Sequence, residues 1–253
     1  MNQLYGRVTE ETFRDHLNGK KLSEISENTQ KFLRYIMPVS CLKETISCFL
    51  TEDYIKPDVS IQMGDTIKYV SIKSINGEIV HTENLYSFID FLKENGIDDY
   101  TIETYLLFHF GDGTTDGSGL IRKSAYEARV ELDERIRQMN AAFNNNPEFI
   151  KAVIERTLFQ GVNPAAKKAQ YIFHGDIHYG VFMSRSQMMK HLERKSFDFL
   201  TCPHIGPLVL KPHARYSGKP ILSDQRRKEV LITYPNFHAD VKYIMNRYNG
   251  PGY

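Results

Sequence analysis

The chain has 253 residues, 41% of them hydrophobic and 25% charged, with a formal net charge of +1. This is enough for one large domain or two small ones with a proper core, and the near-neutral balance excludes a simple polycationic nucleic-acid coat. No run approaches the roughly 18 uninterrupted apolar residues of a membrane span, and the polar, early-acidic start MNQLYGRVTEETFRDH is not that of a secretory signal.

In chain order, 9–17 and 22–36 have helical spacing, the second with Leu22, Ile25, Phe32, Leu33 and Ile36 on one face and Ser23 as a cap. Pro38 breaks it, and 40–50 is expected to resume a short amphipathic helix. The segment KPDVSIQMGDTIKYVSIKSING then predicts two strands, 59–63 and 66–74, joined by a tight Gly64-Asp65 turn and closed by Asn76-Gly77. Helices are expected over 83–94 and 98–108, a loop over 111–119, one long charged helix over 123–144, and another from Pro147 to about 159. Beyond Asn163-Pro164 the pattern turns to short strands near 169–174, 178–183, 206–210 and 228–233, with helices near 185–193 and 237–247. The fold class is α/β.

Charge is unevenly spread. From 163 to 253 there are 14 Lys and Arg against 6 Asp and Glu, and before that 18 against 25. Six of the nine histidines also lie after position 163. Two regions are therefore expected: a helix-rich part, 1–162, carrying a core hairpin, and a basic α/β part, 163–253, that faces a polyanion or belongs to the same domain. Three cysteines, Cys41, Cys48 and Cys202, show neither metal-ligand spacing nor a disulfide framework, which implies reduced thiols and a cytoplasmic setting.

The chemistry concentrates in the predicted hairpin. Asp58 opens one strand and Lys73 lies near the end of the other, so antiparallel pairing brings them side by side. Ser71 and Lys73 point to one face while Ile72 points to the other. A carboxylate that can hold a divalent cation beside an ammonium that can orient water is what phosphodiester hydrolysis requires. Asp58 followed by Ser71-Ile72-Lys73 resembles the PD-(D/E)xK nuclease superfamily, home of many restriction endonucleases, over roughly residues 40–95. The departure is Ser71, where the superfamily normally has Asp or Glu; some restriction enzymes carry Ser there and move the second carboxylate into the following helix. Glu83 is the preferred candidate for that carboxylate, with Glu78, Glu24, Glu27 and Glu44 as alternatives.

The resemblance implies a restriction-endonuclease-like mixed sheet flanked by helices, with Asp58 and Glu83 holding Mg2+ (Mn2+ as a substitute) and Lys73 positioning water. It also implies double-stranded DNA as substrate, a homodimer for cutting both strands, and a restriction role in a prokaryotic cytoplasm. Lys211, Arg215, Arg226, Arg227 and Lys228, with His213 and Lys219 nearby, are the candidate DNA contacts. Two other readings compete. A DNA-binding protein with a decayed nuclease core is suggested by Ser71. His174-Gly175-Asp176-Ile177-His178 resembles one motif of the metallophosphoesterases, whose earlier Asp-x-His and later Gly-Asn-His-Glu are absent. If strand-borne, His174, Asp176 and His178 would form a three-ligand face. GDGTTDGSG lacks the terminal Glu of a calcium loop and the Lys-Ser/Thr ending of a phosphate loop.

Overall fold

A computed structural model describes residues 2–52, 55–74, 78–193, 200–213 and 224–249. The elements run α1 (Asn2–Leu17), α2 (Glu27–Ile36), β1 (Ser47–Leu50), β2 (Val59–Met63), β3 (Thr66–Lys73), β4 (Ile79–Asn84), α3 (Leu85–Glu94), α4 (Asp99–Phe110) and α5 (Ala125–Glu131). Then come α6 (Asp133–Asn144), α7 (Pro147–Ile154), β5 (Tyr171–His174), β6 (Val181–Ser184), α8 (Arg185–Leu192), β7 (His204–Ile205), β8 (Leu208–Pro212), α9 (Asp224–Arg227), β9 (Glu229–Thr233) and α10 (Phe237–Asn249). The expected Asn76-Gly77 turn, Arg215 and Lys219 lie outside the described residues.

The chain divides into two compact units, each discontinuous in sequence. One comprises 1–78, 154–195 and 236–253; the other comprises 79–153 and 196–235. This division differs from a split at residue 163: the shift in charge balance there falls inside the first unit.

The first unit holds a mixed five-stranded sheet of order β1-β2-β3-β5-β6. Its strands pair antiparallel except β3 with β5, which run parallel, Lys73 facing His174. The β2–β3 hairpin forms as its sequence predicts. Val59, Ile61 and Met63 alternate into the core, and Gly64 takes the positive φ (56°) of the two-residue turn, a conformation costly for residues with a Cβ. Phe13, Phe32, Phe173 and Phe182 form the centre of the core. The Phe173 ring lies 4.9 Å from Phe13 and 5.2 Å from Phe32. Ser26 caps α2 by accepting from the Thr29 amide, in place of the expected Ser23.

Residues 47–50, expected to be helical, form β1 instead. Cys48 is fully buried, and the strand pairs with β2 along its whole length, so a long-range partner overrides local helical spacing. The thiol is not poised for chemistry: burial pushes its pKa up to about 12.

The second unit holds a four-stranded antiparallel sheet of order β4-β9-β8-β7 with α3, α4, α5 and α6. Its interior includes Leu85, Phe88, Leu92, Tyr105, Phe143, Leu210, Val230 and Ile232. The expected single helix over 123–144 is two, broken at Leu132, where Asp133 and Glu134 open a new first turn whose exposed amides favour acidic side chains. Among the described residues no helix is long and apolar enough to cross a membrane.

Candidate functional site

Pro57 has no amide to donate, so strand pairing along this edge stops there. Asp58 is the next residue. Its own N–H donates to Val70 O at 2.9 Å, the last rung before the β2–β3 ladder ends. Beyond that rung the Asp58 carboxylate takes the place of a backbone carbonyl. Its Oδ2 accepts from Ile72 N at 2.6 Å and from Ser71 Oγ at 2.8 Å. Lys73 Nζ approaches the same oxygen at 3.4 Å and the Ile72 carbonyl at 3.3 Å. The Asp58 and Lys73 side chains are each 17% exposed.

Three consequences follow. The carboxylate is held by two short bonds that do not depend on Lys73. Among the described residues the ammonium, with three donors, makes two long contacts, which leaves it capacity for a phosphate oxygen or a water. Ser71 is fully buried, so the hydroxyl at this position fixes Asp58, where a second carboxylate would meet Asp58 as a like charge in a dry place.

His174 ends β5 directly opposite Lys73. It is 3% exposed, packs on Phe237 (5.1 Å) and His238 (5.2 Å), and its Nδ1 has no hydrogen-bond partner among the described residues. Burial foremost, then His238 and the Lys73 charge, push its pKa down to about 4 from the ordinary 6.5. The folded state thus refuses a proton that the unfolded chain accepts. The stability contributed by neutral His174 is whole above pH 6.5 and is lost as the pH falls from there through about 4. At about 1.4 kcal/mol per unit the loss is on the order of 3 kcal/mol. Urea midpoints measured between pH 7 and pH 4 should fall accordingly, and His174→Leu should flatten that acid limb.

The three-ligand face expected at 174–178 does not form. Only His174 is in a strand; Asp176 and His178 lie in the turn that follows, where Asp176 Oδ1 accepts from the His178 and Tyr179 amides at 2.7 and 2.9 Å. Among the described residues no group of three or more His, Cys, Asp and Glu side chains is placed to hold a metal ion. Glu83 is not at a helix start but inside β4, opposite Val230, with its carboxylate 3.5 Å from His81 Nε2 and 1% exposed. It belongs to the second unit, whereas Asp58, Ser71 and Lys73 belong to the first.

Of the candidate DNA contacts, Lys211, Arg226 and Lys228 are exposed. The Lys228 ammonium sits 5.9 Å from the Tyr86 ring. Arg227 turns inward and pairs with the fully buried Asp112 carboxylate at 2.7 Å. The 111–119 loop expected from its glycines and aspartates is thereby tied to α9. The pairing of His174 with Lys73 across parallel strands, and its packing on Phe237 and His238 of α10, were not legible, because they join segments far apart in sequence that no local pattern connects.

Comparison with protein-family models and with curated proteins finds no match to the chain.

Proposed function

We propose that the chain is a Mg2+-dependent endonuclease acting on double-stranded DNA, with Asp58 and Lys73 at the reacting phosphate, on a restriction-endonuclease-like core. The observation that carries this reading is the convergence of one carboxylate and one incompletely engaged ammonium at the end of β3, with Ser71 and the Ile72 amide aiming the carboxylate. Mg2+ is commonly held by only one or two carboxylates together with water and substrate phosphates, so a single well-fixed Asp58 suits it. When bound, the ion supplies Lewis-acid polarisation of the phosphoryl oxygen and a more acidic attacking water. Lys73 orients that water and balances charge building on the phosphate. Lys211, Arg226 and Lys228 contribute phosphate contacts, which give affinity rather than sequence selectivity. The metal-ligand role expected of Glu83 is carried by no contact in the first unit, since Glu83 lies in β4 of the second unit. A homodimer serving both strands and a restriction role in a prokaryotic cytoplasm complete the proposal.

The test is cleavage of mixed-sequence plasmid and phage DNA with Mg2+, with Mn2+ and with EDTA, comparing wild type, Asp58→Ala and Glu83→Ala. Discrete fragments from the wild type, lost in EDTA and in Asp58→Ala, are expected. Normal cutting by Glu83→Ala removes Glu83 from the site and leaves the rest. No cleavage on any DNA, with binding that weakens as salt rises, would instead identify a DNA-binding protein whose nuclease core has decayed; Ser71 is the feature that favours this second reading.

A further inference from the structure

His174 and His238 stand side by side in the first unit, one at the end of β5 and the other in the first turn of α10. Their ring centres are 5.2 Å apart, with 57° between the ring planes. Each ring keeps its Nδ1 buried with no hydrogen-bond partner among the described residues. A buried polar atom left unpaired costs the fold its desolvation and returns nothing. Two such nitrogens on neighbouring rings double that cost, and a bound group that takes both would remove it. The tautomer of His174 is set by the backbone. Its ring hydrogen-bonds the Lys73 carbonyl, which calls for an N–H, so Nε2 carries the proton and Nδ1 carries a lone pair. An imidazole that donates one N–H to a backbone carbonyl and keeps the other nitrogen bare is oriented as metal-ligating histidines are.

The spacing of the rings suits a shared ion. With metal–nitrogen bonds of about 2.0–2.1 Å, two imidazoles on one tetrahedral ion have their centres about 5.2 Å apart. We propose that Nδ1 of His174 and Nδ1 of His238 are the two protein ligands of a transition-metal site, with Zn2+ as its ion and water completing the coordination. Imidazole nitrogen suits Zn2+, Co2+ and Ni2+, whereas Mg2+ demands oxygen ligands, so this site and Asp58 take different metals. His174 is neutral at physiological pH because burial holds its pKa down, and its lone pair is therefore available without loss of a proton. His238 is only half-buried, which gives an ion and its waters a way in. The Lys73 charge opposes any cation here, and strong nitrogen ligation is what offsets it. The site stands apart from the nuclease reading and shares no ligand with it.

The experiment titrates Zn2+ into the full chain, stripped of metal, at neutral pH and in excess Mg2+, by calorimetry, for wild type, His174→Phe, His238→Phe and His178→Phe. A nitrogen-15 spectrum of the imidazoles, recorded on the wild type with and without Zn2+, reads which ring atoms are bound. Wild type and His178→Phe should take up the ion alike. Loss of a ligand costs more than loss of a group that merely supports one, so His174→Phe and His238→Phe should each bind upwards of about 100-fold more weakly. The Nδ1 resonances of His174 and His238 should shift together on Zn2+ addition, while their Nε2 resonances stay those of N–H. If His174→Phe does not fold, His238→Phe and the wild-type spectrum decide. A wild type that takes up no Zn2+ overturns the inference. So does uptake that His238→Phe leaves unchanged, since the ion would then sit elsewhere, on the cysteines or on His16 and His178. A shift at Nε2 in place of Nδ1 overturns it as well.

Discussion

Lys73→Met is expected to bind DNA nearly as well as wild type and to cut it roughly 10²–10³-fold more slowly, the usual cost of removing one group that stabilises charge in the transition state. Methionine keeps most of the stem of the half-buried side chain and removes only the ammonium. Asp58 should stay in place, because Ser71 Oγ and the Ile72 amide hold its Oδ2 without help from Lys73. Single-turnover cleavage with Mg2+, read beside anisotropy with Ca2+, separates the two roles. If binding and cleavage fall together, Lys73 is a phosphate contact only, and the water-positioning role assigned to it is lost.

Arg227→Ala should destabilise the second unit by about 3 kcal/mol, the low end of what breaking a buried ion pair costs. The carboxylate left behind explains the size. The Asp112 side chain is fully buried, and its Oδ2 takes the Arg227 guanidinium at 2.7 Å, while Oδ1 keeps the Thr114 amide at 3.0 Å and the Thr114 hydroxyl at 2.7 Å. Half of the carboxylate therefore stays satisfied, which holds the loss below the top of the range. A double-mutant cycle with Asp112→Asn, followed by urea unfolding, should show a coupling well above that of exposed pairs such as Arg7 with Glu11. A change within 0.5 kcal/mol would return Arg227 to the set of surface cations available to DNA.

These two positions show what sequence alone can and cannot reach. The placement of Asp58 beside Lys73 was legible because it depends on one hairpin with a Gly-Asp turn, a local pairing whose period-two pattern sets the register. Arg227 sits in a run of three cations that reads as one solvated face, yet the middle one is drawn inside by a carboxylate 115 residues earlier. Glu83 illustrates the same limit. The residues around it have the spacing of a helix start, and α3 does begin two residues later, with Asn84 as its cap. Pairing with β9 keeps Glu83 itself in a strand. The break at Leu132 was legible in principle, since Asp133-Glu134 is an N-terminal signal, but the periodicity on either side runs through it without interruption.

The discontinuous units also set a timetable for synthesis. β3 emerges long before its parallel partner: Ser71 and Ile172 are 101 residues apart, and the whole of 79–153 comes between them. At typical elongation rates this means roughly 5–20 s during which the β3 edge lacks its native neighbour. β4 waits longer still, since Glu83 pairs with Val230. Such non-local pairing slows folding and leaves unpaired edges open to other nascent chains. The arrangement that gives the Asp58–Lys73 site its parallel neighbour therefore makes yield, and its sensitivity to growth temperature and chaperone supply, the first property to suffer when a substitution weakens either sheet.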